Sequence, residues 1–202
     1  MQPKPEMIDQ EELFRDICTD ERGVNQETLQ SVILLAVEIA REGREGRKVG
    51  TLFVISDSEE TLQRSKCLIL DPLLNHPPEK KNIADHNMRE TVKELAQLDG
   101  AFIVTDHGVV LSGCRYLNAS SEGINLPLGL GSRHMAAASI TRETGAIAVL
   151  VSESSIVRIF DDGEIISEII PELWLLERYG LHIEEPYITR RGREMTVASK
   201  SE

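Results

Sequence analysis

The sequence predicts an α/β layered fold, with a central mixed β-sheet flanked by helices. Segments of helical period alternate with short apolar, β-prone runs, which places helices against a sheet. Some of those runs stand alone between helices, whereas others form hairpins around Asp106-His107-Gly108 and Asp161-Asp162-Gly163, so parallel and antiparallel neighbours are both expected. At 202 residues, 41% hydrophobic and 28% charged, the chain suits one domain with appendages and a core of real size.

Residues 1–23 are acidic and mixed, with a short amphipathic segment at 11–18 (Leu13, Phe14, Ile17), and are read as an N-terminal appendage outside the core. The main domain is set at 24–183. Its first helix covers 27–44, where Leu29, Val32, Ile33, Ala36, Val37 and Ala40 fall on one broad apolar face. Thr51-Leu52-Phe53-Val54-Ile55 is a buried strand, followed by a helix to about Lys66 and a further strand over 67–70. Pro72, Pro77 and Pro78 make 71–82 a loop. A helix over 87–98 carries Met88, Val92, Leu95 and Leu98, then Ala101-Phe102-Ile103-Val104 is a strand that returns through Val109-Val110-Leu111. A helix runs from the glycines near 131 to about Glu143, with Gly145 as its closing glycine. Ile147-Ala148-Val149-Leu150-Val151 and the hairpin 156–169 follow, and Pro171 opens a last helix with Leu173, Trp174 and Leu176. Residues 184–202, with Arg190, Arg191, Arg193 and Lys200, are read as a polar, frayed C-terminal tail.

The bulk numbers exclude several classes of function. A net charge of -12 argues against a nucleic-acid backbone as partner. The longest unbroken apolar run, Val32 to Val37, is too short to span a bilayer, and no signal-peptide pattern opens the chain, so a cytoplasmic protein with no membrane partner is expected. Cys18, Cys67 and Cys114 are odd in number and widely spaced, which suggests reduced thiols and neither a disulfide framework nor a zinc site.

Chemistry concentrates at Leu128-Gly129-Leu130-Gly131-Ser132-Arg133-His134-Met135, which leads into three alanines. Glycines that let the chain turn, followed at once by strong helix formers, put a helix N-terminus with its unpaired N–H groups at the loop. Ser132, Arg133 and His134 add a hydroxyl, a planar cation and an imidazole, so the stretch reads as a phosphate-binding corner. Some thirty residues upstream, Asp99-Gly100-Ala101 sits where a helix hands over to a strand, offering a carboxylate for a metal beside two small residues. Glu153, after a strand, is a second carboxylate candidate. Carboxylate, cation and phosphate cradle are the parts that phosphoryl or nucleotidyl transfer requires.

With these two motifs the chain resembles the diadenylate cyclase domain family, whose hallmarks are Asp-Gly-Ala and Gly-(Thr/Ser)-Arg-His-Arg. Here they read Asp99-Gly100-Ala101 and Gly131-Ser132-Arg133-His134-Met135, with Arg115-Tyr116-Leu117-Asn118 between them and Val151-Ser152-Glu153-Ser154 after. The resemblance runs from about residue 24 to 170 and is closest to archaeal members. It implies that fold, and condensation of two ATP into cyclic di-AMP across a two-fold pair of half-sites, with Mn²⁺ or Mg²⁺ as the metal and a second copy of the chain as partner. It implies Asp99, Arg133 and His134 as catalytic residues, and Gly100, Ala101, Leu117, Gly131, Ser132 and Arg133 as ATP contacts. Asp99, His134 and Glu153 are implied as metal ligands. Two positions depart from the pattern: Met135 replaces the second arginine of the triplet, and Ala136 replaces a threonine common in bacterial members. These departures motivate an alternative, a nucleotide- or cyclic-dinucleotide-binding regulatory protein with weak or no turnover.

Overall fold

The computed structural model describes residues 10–19, 22–171, 183, 186–192 and 195–200. The expected helix opened by Pro171 lies outside the described residues. Among them, five α-helices run in chain order as α1 (Gln10–Phe14), α2 (Gln26–Glu42), α3 (Ser58–Gln63), α4 (His86–Leu95) and α5 (Ser132–Glu143). The strands are β1 (Thr51–Ile55), β2 (Ser65–Cys67), β3 (Ala101–Val104), β4 (Val110–Leu117), β5 (Ile147–Val151), β6 (Val157–Asp161), β7 (Glu164–Ile170), β8 (Tyr187–Arg191) and β9 (Thr196–Lys200). All nine form one sheet in the order β2-β4-β3-β1-β5-β6-β7-β9-β8, mixed because β1 pairs in parallel with β3 and antiparallel with β5.

Strand side chains alternate between two faces, and each face has its own core. Phe53, Ile55, Phe102, Val149, Val151, Val157 and Ile159 pack under α2, whose Leu29, Val32, Ile33 and Ala36 are fully buried as the helical period predicts. Asn25 caps α2, accepting from the Thr28 N–H at 2.9 Å, and Asp85 caps α4 by accepting from the Met88 N–H at 3.0 Å. On the opposite face, Leu52, Val54, Ala101, Leu117, Ala148, Leu150 and Phe160 pack against Ala137, Ala138 and Ile140 of α5. The alanines do two things here: they favour helix and they let α5 lie close to the sheet.

Both chain ends correct the reading made from sequence. Leu13, Phe14 and Ile17 are buried in the α2-face core with Met195 and Val197, so the N-terminal segment is part of the core. Among the described residues of the C-terminal stretch, 187–191 and 196–200 are strands: β9 pairs with β7 and β8 pairs with β9, and Asp16 and Arg190 form an ion pair. Gly145 does not close α5 either. The cap is Thr144, in extended geometry, whose hydroxyl donates to the Ile140 carbonyl, while the Gly145 N–H donates to Asp57 Oδ2 at 2.9 Å. The strand expected over 67–70 stops at Cys67, and Leu70 beyond it is exposed.

The return strand β4 is longer than the apolar run Val109-Val110-Leu111 implies. It continues to Leu117 through an irregularity at Cys114, whose φ of 53° marks a bulge against β3. The bulge brings the β4 backbone against Gly100. A Cβ there would lie 2.6 Å from the Cys114 carbonyl carbon and 2.7 Å from the Arg115 nitrogen, and its φ is 109°, so this position requires glycine. Cys18, Cys67 and Cys114 are free cysteines.

Candidate active site

The site lies on the α5 face, where β1, β3 and β4 meet the start of α5. Ser132 opens α5 after Gly131, and no side chain caps the helix, so its N-terminal N–H groups face outward at the glycine loop. Arg133, one residue in, reaches across the strand ends. Its Nη2 donates to Asp99 Oδ1 at 3.1 Å and its Nη1 to Glu153 Oε1 at 3.2 Å. Asp99 stands just before β3 and Glu153 just after β5, on opposite sides of β1 in the sheet. One guanidinium therefore gathers two carboxylates that the chain places 54 residues apart.

Both carboxylates are open to solvent, with side-chain exposures of 77% for Asp99 and 74% for Glu153, against 35% for Arg133. Exposed ion pairs of this kind are held by less than about 1 kcal/mol, so Arg133 can exchange either carboxylate for a phosphate oxygen at little cost. Beside this cluster lies a cavity of about 270 Å³, lined by Leu52, Leu68, Asp99, Gly100, Ala101, Arg115, Tyr116, Leu117, Ala119, Ser132, Arg133, Met135 and Ala136. Leu52, Leu68, Leu117 and Tyr116 give it apolar lining, and Asp99, Arg115, Ser132 and Arg133 give it polar and charged groups. That is the combination a nucleotide needs: apolar surface for a base and charged groups for phosphates.

The structure thus brings together Asp99, Gly100, Ala101, Leu117, Ser132, Arg133 and Glu153, with Gly131 at the helix entrance. It does not bring His134 to them. That ring is buried, with Nε2 3.0 Å from Arg158 Nη1, and forms a T-shaped pair with Phe160. Successive helix positions lie about 100° apart, so Arg133 and His134 point to different sides of α5. A second surprise is Gly50, which no motif singles out. A Cβ on Gly50 would lie 2.7 Å from Arg133 Nη1 and 3.2 Å from Glu153 Cγ, so this glycine forms the floor under the guanidinium. Its backbone angles suit any residue, and the nearest atom belongs to a movable side chain. Gly50→Ala is therefore expected to leave the melting temperature nearly unchanged while displacing Arg133 from Asp99 and Glu153. Thermal denaturation and a crystal structure of the variant check this.

A divalent ion fits the donor set in one particular way. Asp99 and Glu153 are hard oxygen donors suited to Mg²⁺ or Mn²⁺. Among the described residues no cluster of three His, Cys, Asp or Glu side chains could cage an ion. An ion here would take one or two carboxylates and complete its shell from phosphates and water, as Mg²⁺ at nucleotide sites does.

An α/β sheet whose strand ends gather an uncapped helix start, an arginine and two carboxylates is an arrangement suited to a nucleotide. Residues 38–165 match the family model described as DisA bacterial checkpoint controller nucleotide-binding, and the chain belongs to this family, the diadenylate cyclase domain family. It is 48% identical over 166 residues to a diadenylate cyclase of Methanocaldococcus jannaschii, covering 82% of this chain and 51% of that protein. It is 40% identical over 149 residues to a diadenylate cyclase of Haloferax volcanii, covering 72% and 54%. The chain spans about half the length of these curated relatives. A solved structure of a hypothetical membrane spanning protein from Bacillus cereus superposes with a TM-score of 0.51 at 17% identity, covering 69% of this chain and 62% of that one, which supports the fold alone. No helix among the described residues of the present chain is long and apolar enough to cross a membrane.

Proposed function

We propose that this chain is a diadenylate cyclase, condensing two ATP into cyclic di-AMP and releasing two pyrophosphates. The observation that carries the reading is Arg133, which holds Asp99 and Glu153 at the rim of a half-apolar cavity at the start of α5. Family membership and the two curated relatives named diadenylate cyclase support it.

In this reading the adenine lies against the apolar lining of the cavity, between Leu52, Leu117 and Tyr116. The triphosphate runs toward Ser132, Arg133 and the first N–H groups of α5. Arg133 exchanges its carboxylates for phosphate oxygens, which frees Asp99 and Glu153. Asp99, with Glu153, would hold the divalent ion, which when bound neutralises phosphate charge and makes the 3′-hydroxyl more acidic. In this reading Asp99 would also orient that hydroxyl and take up its proton. Each 3′-oxygen forms a bond to the other ATP's α-phosphorus as the bond from that phosphorus to the pyrophosphate oxygen breaks.

The product has a two-fold axis, and in this reading each chain supplies one nucleotide site, so two copies face each other. Turnover per chain should then fall when the protein is diluted below the concentration at which copies pair. A rate per chain independent of concentration, in a sample shown to be monomeric, would count against the facing half-sites.

Met135 and Ala136 line the cavity where the family pattern has arginine and often threonine, and this favours a second reading as a nucleotide-binding regulator with little turnover. The retained pair of carboxylates argues for the cyclase, because binding a polyanion gains nothing from two further negative charges.

A further inference from the structure

Beneath the first turn of α5, on the side away from the cavity, β6 and β7 carry a buried ion pair. Arg158 and Glu168 are register partners, Arg158 Nε donates to Glu168 Oε1 at 2.5 Å, and both side chains are at least 97% buried. Arg158 Nη1 then meets His134 Nε2 at 3.0 Å. A guanidinium has donors only, so in this contact Nε2 is the acceptor. In this arrangement Nε2 has no lone pair left for a metal or a proton for a phosphate.

We infer that Arg158 and Glu168 position the catalytic corner by fixing the His134 ring, and with it the first turn of α5. Two observations carry this inference. Gly131 gives α5 no side-chain cap, and although Leu130 packs against the α5-face core, Leu128 two residues before it is 99% exposed, so the helix start is held by that packing and by no capping hydrogen bond. Arg133 does reach the strand ends through Asp99 and Glu153, but those contacts must be given up when a triphosphate enters. The His134–Arg158 hydrogen bond then tethers this turn to the sheet. A buried ion pair is also poor evidence for stability, because desolvating both charges offsets most of their attraction. Its place under the corner gives it a different use.

The inference rests on the cyclase reading, and the experiment separates the two. Three variants are measured for thermal midpoint, kcat and KM for ATP: the apolar pair Arg158→Met with Glu168→Leu, His134→Leu, and His134→Gln. The apolar pair should fold with a midpoint near that of the parent, yet lose about a hundredfold in kcat with a smaller change in KM, because displaced groups slow chemistry more than they weaken binding. His134→Leu should lose a comparable factor. His134→Gln, whose Oε1 can accept from Arg158, should recover kcat to within about threefold of the parent, less than one lost neutral hydrogen bond would cost. Parental kcat in a folded apolar pair would overturn the inference. So would equal losses in His134→Gln and His134→Leu, which would mean that the ring itself touches nucleotide or metal. If the apolar pair fails to fold, the two His134 variants decide. If the parent itself makes no product, the cyclase reading fails first. Binding of a non-hydrolysable ATP analogue with Mg²⁺ then tests the positioning role, with His134→Leu expected to weaken it and His134→Gln to preserve it; equal affinities would overturn the role.

Discussion

Asp99→Asn is expected to lower turnover by about three orders of magnitude, the upper part of the range for removing a positioned general base, while leaving ATP binding largely intact. The substitution keeps the size and one acceptor oxygen of the side chain, so the cavity and the Gly100 turn behind it are undisturbed. What disappears is the negative charge, and with it the group proposed to take the 3′-hydroxyl proton and hold the divalent ion. Asp99 is largely solvent-exposed and partnered only by Arg133 and its own neighbour's N–H among the described hydrogen bonds, so no fold contribution of weight is lost. Single-turnover rates with saturating ATP isolate the chemical step, and equilibrium binding of labelled ATP measures the rest. Turnover within tenfold of the parent would remove Asp99 from its proposed role.

Arg133→Ala is expected to damage binding and chemistry together. Two charge-assisted hydrogen bonds to phosphate at about 1.5–3 kcal/mol each would be lost, so kcat/KM should fall at least a hundredfold. Removing the cation also leaves Asp99 and Glu153 facing an incoming polyanion without neutralisation, which raises KM further. Arg133→Lys should recover only part of the loss, because an ammonium cannot address two oxygens with the geometry of a planar fork. Full recovery by lysine, read from steady-state kinetics, would mean that charge alone is needed and that the bidentate grip is not.

The central strands and the helix periods were legible because each buries a face, and burial imprints its period on the sequence: Leu29, Val32, Ile33 and Ala36 of α2 are the clearest case. Asp99 and Arg133 were legible as motifs, and the structure joins them through one guanidinium. What a linear motif cannot convey is direction. Ser132, Arg133 and His134 are consecutive in the chain, but the helix turns His134 inward to Arg158, a residue with no motif of its own. Gly50 was invisible for a similar reason: a glycine before a strand is ordinary until a guanidinium is found lying across it. Ser112-Gly113-Cys114 interrupts the apolar run of β4, so the apolar pattern ends where the strand only bulges. The two ends were misjudged by composition. Leu13, Phe14 and Ile17 are few among charged neighbours, and β9 is short and polar, yet each completes the other's burial.

Purified chain incubated with ATP and Mg²⁺ or Mn²⁺, analysed by mass spectrometry, should yield cyclic di-AMP with two pyrophosphates for each molecule formed. A folded, self-associated, ATP-binding preparation that forms none with either metal would contradict the cyclase and leave the nucleotide-binding regulator in its place.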